Sequence, residues 1–203
     1  MRRIVAVAIL VILAVPVLAF AQQPVCEQAT CGAGDPPHDP GSRGYQDFIE
    51  LTYEGAYGRA ATCGEIRIEF FRLRNAASNG AAALNEEARR FVATRFMTQT
   101  SYDAQDLTTY VQTSEYDAIR PLNQNDRATI LLFIADLYRA FLQREPDAGG
   151  QCFWANDACG NTTAEAARKH PIRAFEESTE FGNLVSGLYD DGPPPSCGPG
   201  GGF

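Results

Sequence analysis

The chain has 203 residues, a formal net charge of -8 and six cysteines, with 45% hydrophobic and 21% charged residues. That is enough apolar content for one moderate domain or two small ones. The acidic balance would repel a polyphosphate backbone, which argues against nucleic acid as a partner.

Residues 1–21 carry Arg2 and Arg3, an apolar run, Pro16 and then Ala19-Phe20-Ala21. This order reads as a secretory signal with an A-x-A cleavage site. An uncleaved anchor is the alternative, since the run is just long enough to span a bilayer. Cleavage removes both arginines and takes the formal charge from -8 to -10. No later stretch is apolar enough to span, so no membrane association is expected afterwards. The expected location is secreted, periplasmic or cell-envelope. Residues 22–44 are rich in Pro, Gly and short polar residues and read as a loose leader, with Cys26 and Cys31 its only constraint and His38 a solvated loop residue.

An even cysteine count behind a signal favours disulfides over metal. Short C-x-C spacings of four and six residues, with only two histidines in the chain, make a poor zinc pattern. The local pairs expected are Cys152 with Cys159 and Cys26 with Cys31.

The folded part begins near Tyr45, where Phe48, Ile49, Tyr53, Ala56 and Tyr57 form a helical stripe that ends at Gly58 to Ala61. Thr62-Cys63-Gly64-Glu65 is a capping box for a second helix carrying Ile66, Ile68, Phe70, Phe71 and Leu73, up to a turn over 75–80. A third helix over about 81–98 places Leu84, Ala88, Phe91, Val92 and Phe96 inside and the charged Glu86, Glu87, Arg89 and Arg90 on a solvated face. A short helical segment over 108–120 closes at Pro121. Asp126 caps the next helix, whose buried face is Ile130, Phe133, Ile134, Leu137, Phe141 and Leu142. Arg144-Glu145-Pro146 ends it, and Asp147 opens another. Gly149 and Gly150 there leave room for close packing beneath Phe153 and Trp154. After a turn at 159–161, Thr162 and Glu165 form a second capping box. That helix is expected to bend or stop at Pro171, before a last helix starting at Ser178 buries Phe181, Leu184, Val185 and Leu188. Residues 190–203 read as a flexible tail unless Cys197 ties it down.

An internal repeat organises the chain. A shift of 85 residues sets Phe48, Ile49, Tyr53, Arg59 and Thr62 onto Phe133, Ile134, Tyr138, Arg144 and Asp147. Further on, Tyr110-x-x-Thr113-x-Glu115-Tyr116 matches Phe175-x-x-Ser178-x-Glu180-Phe181. The first copy has about twenty extra residues and lacks counterparts of Gly150 and Trp154. The expected architecture is all-α: two related multi-helix units packed together, over 45–121 and 126–189, supported by disulfides.

The second unit combines Tyr138, then Leu142-x-Arg144-x-Pro146-Asp147-x-x-Gly150-x-x-Phe153-Trp154, and later Phe175-x-x-Ser178-x-Glu180-Phe181. It resembles the bacterial domain-of-unknown-function family 4214 over about 126–188, and the first unit resembles a degenerate copy of it. The resemblance implies a helical module of exported proteins, similar to the phycobilisome linker helical domain, and brings no catalytic residue, cofactor or metal.

Arg144, Asp147, Gly150 and Trp154 are the candidate site. Caps and a proline-fixed corner explain each residue type without a ligand. The sharper reading is a polar notch beside Trp154 for a partner protein or a surface glycan. An enzyme is disfavoured: neither G-x-S-x-G nor H-E-x-x-H occurs, and His170 has no nucleophile pattern. The expected function is an exported interaction or structural module. The competing reading is a small secreted hydrolase or carbohydrate-binding protein using the cleft between the units, which a cleft with two carboxylates, or an acid beside His170, would favour.

Overall fold

The computed structural model describes residues 41–104, 113–123, 126–159 and 163–197. The chain is predominantly helical. In order it forms β1 (Arg43–Gly44), α1 (Tyr45–Tyr57), α2 (Cys63–Ser78), α3 (Ala81–Ala93), α4 (Gln99–Ala104), α5 (Ser114–Ile119), α6 (Arg127–Leu137), α7 (Ala148–Cys159), α8 (Ala164–Glu176), α9 (Thr179–Ser186) and β2 (Leu188–Tyr189). A π-helical turn, Tyr138–Leu142, prolongs α6.

The local signals explain most helix starts. Thr62 accepts from the Glu65 amide while the Glu65 carboxylate accepts from the Thr62 amide, so the expected capping box opens α2. Asp126 caps α6 and Ser178 caps α9, each through its side-chain oxygen. At α8 the cap is Thr163 rather than Thr162, one residue later than expected. Helix α8 also continues through Pro171 instead of stopping there. Proline removes one ladder hydrogen bond, and the burial of Ala167, Ile172 and Phe175 on this helix offsets the loss. The third helix ends at Ala93, and Phe96 and Met97 are fully buried in the turn that follows. The expected segment 108–120 is helical over Ser114–Ile119, and residues 105–112 lie outside the described ones.

The two units meet through equivalent helices. Helix α1 packs on the π-helical turn of α6, and the closest approach is at Gly55, where a Cβ would lie 2.5 Å from the Ala140 backbone nitrogen. Under the 85-residue shift Gly55 and Ala140 are the same position, so the crossing joins equivalent residues of the repeat. One aromatic core runs through both: Phe96 lies 4.9 Å from Tyr116 and 6.1 Å from Phe141, centroid to centroid, and Phe141 lies 5.3 Å from Phe181. The twenty extra residues of the first unit are α3 and its flanking turns. Helix α3 packs on α2 and also reaches α8 and α9, bridging the units with Ala88, Phe91 and Val92 fully buried.

The ends of the described chain are joined. Strand β1 pairs in parallel with β2, Arg43 opposite Leu188 and Gly44 opposite Tyr189. The following residues are tied to the first unit: Asp190 to Arg74 at 2.9 Å, Asp191 to the Gln46 amide at 3.3 Å, and Cys197 to Cys63 by a disulfide. Cys197 therefore fastens the tail, which meets the condition set by the sequence.

The disulfide expected between Cys152 and Cys159 does not form. Both lie on the continuous helix α7, and seven residues of helical rise separate them by about 10 Å, beyond the roughly 7 Å that a disulfide spans between Cα atoms. Each is nevertheless disulfide-bonded. The expected Cys26 to Cys31 pair lies outside the described residues. No helix among the described residues is long and apolar enough to cross a membrane.

Candidate functional site

The corner of the second unit is built where the π-helical turn gives way to α7. Gln143 turns the chain with a left-handed backbone, φ 51. Asp147 then accepts from the Gly150 amide at 2.7 Å and caps α7. The Arg144 guanidinium lies 4.9 Å over the Tyr138 ring and donates a two-bond fork to Glu180, at 2.6 and 3.0 Å. Its Nη1 is 3.7 Å from Asp147. The fork with Glu180 holds the Arg144 guanidinium in its charged form, raising its pKa.

Tyr138 is where the four candidate residues converge. A Cβ at Gly150 would fall 2.2 Å from the Tyr138 hydroxyl, so only glycine admits that ring. The Trp154 ring lies 5.6 Å from Phe175, whose ring in turn lies 4.9 Å from that of Tyr138. Burial first, then the Asp147 charge, push the Tyr138 phenol up. The space at Gly150 is thus taken by Tyr138 and not, as expected, by Phe153 and Trp154. Phe153 points outward and is 63% exposed.

The first unit holds the same corner with other side chains. Gly58, φ 66, takes the left-handed position of Gln143. Arg59 lies 5.1 Å over the Tyr53 ring and donates to Glu65 at 2.8 and 2.9 Å and to Glu115 at 2.8 Å. Burial would raise the Glu65 pKa, but the Arg59 bonds and both Thr62 groups outweigh it and bring the carboxyl down to about 2. Where the second unit has Trp154, the first has Glu69, 5% exposed. Arg95, from the inserted segment, donates to the Tyr53 hydroxyl and pairs with Glu69 at 3.3 Å. Arg90 reaches Glu69 as well, at 3.7 Å, so this arginine is not on a purely solvated face as the sequence suggested.

Between the corners runs a groove of about 490 Å³ along the α1 and α6 crossing, lined by Leu51, Glu54, Gly55, Gln143, Arg144 and Glu145 among others. Its floor is the filled Gly55 to Ala140 contact. The Gln143 Oε1 is buried without a hydrogen-bond partner among the described residues, while its Nε2 donates to the Phe48 carbonyl at 3.2 Å. Of the two carboxylates on the rim, Glu145 is forked to Arg139 at 2.8 and 2.9 Å, which lowers its pKa. A carboxylate held in its charged form is not a general acid near neutral pH.

Residues 126–185 match the family DUF4214, a domain of unknown function. No curated protein and no solved structure matches the chain. The DUF4214 segment begins at Asp126, the α6 cap, and contains the whole Arg144 corner and its Glu180 fork.

Three features lay beyond sequence reasoning. His170, in the DUF4214 segment, has Asp157 beside it, Nδ1 to Oδ2 2.8 Å, on an open part of the surface where His170 is 51% exposed. Among the described residues no hydroxyl or thiol is hydrogen-bonded to this histidine. Lys169 is fully buried, in a region that also holds Glu176, whose pKa burial raises despite Arg173. The third is which residues line the cleft expected between the units: of the four candidates only Arg144 does so. No group of three or more metal-ligating side chains occurs among the described residues.

Proposed function

We propose that this chain is an exported helical interaction or structural module of the bacterial envelope or extracellular space, with the groove between its two units as the surface that meets a protein segment or a surface glycan. The observation that carries this reading is a contrast in how polar groups are used. In both corners the arginines, caps and carboxylates are occupied with one another. The groove instead offers an apolar floor at Leu51 and Gly55 with the polar side chains of Glu54 and Gln143 beside it, the kind of lining that receives a protein segment or a glycan. The signal-like pattern of residues 1–21, the Cys63–Cys197 disulfide and the acidic net charge support export and a partner other than nucleic acid.

A hydrolase is the second reading, and the His170–Asp157 pair is the observation in its favour. Neither residue lines the groove, and a histidine oriented by an acid needs a nucleophile or a substrate proton on its other nitrogen. The reading as a binding module is therefore preferred. The test uses the chain without residues 1–21 as bait in fluid from the native culture, beside Leu51→Arg and His170→Ala variants of equal thermal stability. A defined protein or glycan retained by the wild type and by His170→Ala, and lost with Leu51→Arg, is the expected result. Equal retention by all three, or none by any, contradicts the groove as the contact surface. A substrate cleaved by the wild type and spared by His170→Ala would establish the hydrolase instead.

A further inference from the structure

Two exposed helix faces of the first unit carry matching patterns of opposite charge. Helix α1 sends Asp47, Glu50 and Glu54 to solvent, with Leu51 half-buried among them. Helix α2 sends out Arg67, Arg72 and Arg74, with Ile68 and Phe71 among them, 46% and 48% exposed. The one carboxylate on that part of α2, Glu69, is turned inward and buried. The spacing is the same on both helices: Asp47, Leu51 and Glu54 stand at i, i+4 and i+7, and so do Arg67, Phe71 and Arg74. These offsets fall on one helix face, and the outer two charges of each set are about 10 Å apart along the axis. Leu51 and Glu54 also line the groove. We propose that the groove receives a second copy of this chain, whose α2 face lies against α1 with Phe71 on Leu51 and Gly55 and the arginines on Asp47, Glu50 and Glu54. This rests on the reading of the groove as the contact surface and names its partner.

The α2 face is an exception on an acidic chain. With a net charge of -8, two copies repel one another in most orientations, and setting the arginine row on the carboxylate row brings opposite charges together. Such a match selects one orientation of encounter. The existing partners of the arginines do not stand in the way. Arg72 pairs with Glu69 at 3.1 Å and Arg74 with Asp190 at 2.9 Å, and both arginine side chains are about half exposed, where an ion pair contributes little and is readily exchanged. Across the groove, Arg139 and Arg144 are forked to Glu145 and Glu180 and do not compete for the α1 carboxylates. Phe71 is the aromatic anchor of the contact, and with Ile68 it supplies apolar area to be removed from water. Because the two faces differ, one contact leaves a groove unused on one copy and an α2 face unused on the other. Association therefore ends in a reciprocal pair or a ring, or continues as a growing chain.

The test uses the chain and its variants purified from the natural host and sedimented at low salt over rising concentration. Leu51→Arg sets a cation against the arginine row, and Phe71→Asp sets a carboxylate against the acidic row. The wild type is expected to gain mass with concentration, and to associate roughly tenfold more weakly in about 1 M salt. Either variant alone should remain a single chain. The two mixed in equal amounts should associate again, because each keeps the face that the other has lost. If either variant melts below the wild type, Glu54→Arg and Arg67→Glu take their places with the same expectation. A wild type that stays a single chain overturns the second copy, as does a mixture that stays apart, or a Phe71→Asp variant that associates like the wild type. The groove itself is judged separately. A single-chain wild type that retains another partner from culture fluid, and loses it with Leu51→Arg, overturns the second copy and leaves the groove standing. A Leu51→Arg variant that associates as the wild type does overturns both.

Discussion

The corners at Arg59 and Arg144 share an arginine, a tyrosine and a glutamate and differ in the side chains packed around them. Both place a guanidinium over a tyrosine ring 85 residues from its counterpart, and both pair it with a glutamate in the first turn of the last helix of the unit. The differences compensate one another. The second corner has a glycine where the first has Glu65, and Tyr138 moves into the space. Where the second has Trp154, packed on Phe175, the first has Glu69, which holds Arg95 of the inserted segment on the Tyr53 hydroxyl. A single change on either side would leave a void or an unpaired charge, so the substitutions work only as sets.

The largest effect is expected at the crossing of α1 with the π-helical turn. Gly55→Ala drives a methyl into the Ala140 backbone and is expected to cost about 3 kcal/mol in urea unfolding, against about 1 kcal/mol for Ala140→Gly at the equivalent position. Similar costs for the two would show that the units do not meet as described. Next in size is Gly150→Ala, expected to lose about 2 kcal/mol because the new Cβ meets the Tyr138 hydroxyl. Adding Tyr138→Phe should restore part of that loss, whereas the rescue has no counterpart in the first unit. The arginines sharpen the contrast further. Arg144 is 14% exposed and Arg59 35%, so Arg144→Ala should cost about 2 kcal/mol and Arg59→Ala about 1 kcal/mol, read as a difference in thermal midpoint.

The smallest effect is in pH. The Glu65 carboxyl is lowered from 4.5 to about 2 in the folded chain, so its contribution is complete above pH 4.5 and lost as the pH falls toward 2. Glu65→Gln should flatten the acid limb of the stability curve in that window by about 1 kcal/mol after solvent screening. The second unit, with glycine at this position, offers no such group. An unchanged acid limb would mean that the Arg59 to Glu65 fork contributes nothing.

Much of this was legible in the sequence because helix caps act locally. Thr62 with Glu65, Asp126, Asp147 and Ser178 are read from side-chain chemistry a few residues away, and the structure places caps at each. The pairing of Arg144 with Glu180 was within reach through the recurrence of both residues in the other unit. What was hidden depends on the third dimension. The room at Gly150 could be assigned to any nearby ring, and Tyr138 sits twelve residues back on another helix. The Arg95 to Glu69 pair joins two elements of which only one belongs to the repeat. Cys152 and Cys159 looked like neighbours because proximity in sequence was taken for proximity in space, and a continuous helix removes it.

The corner carrying the DUF4214 motif is expected to act as a scaffold held by its own residues. A double-mutant cycle on Arg144→Ala and Glu180→Ala, followed by urea unfolding, tests it most directly. The expected coupling is about 1.5 kcal/mol, from a forked, partly buried pair. Additive losses, with coupling near zero, would contradict the scaffold and leave Arg144 to a partner.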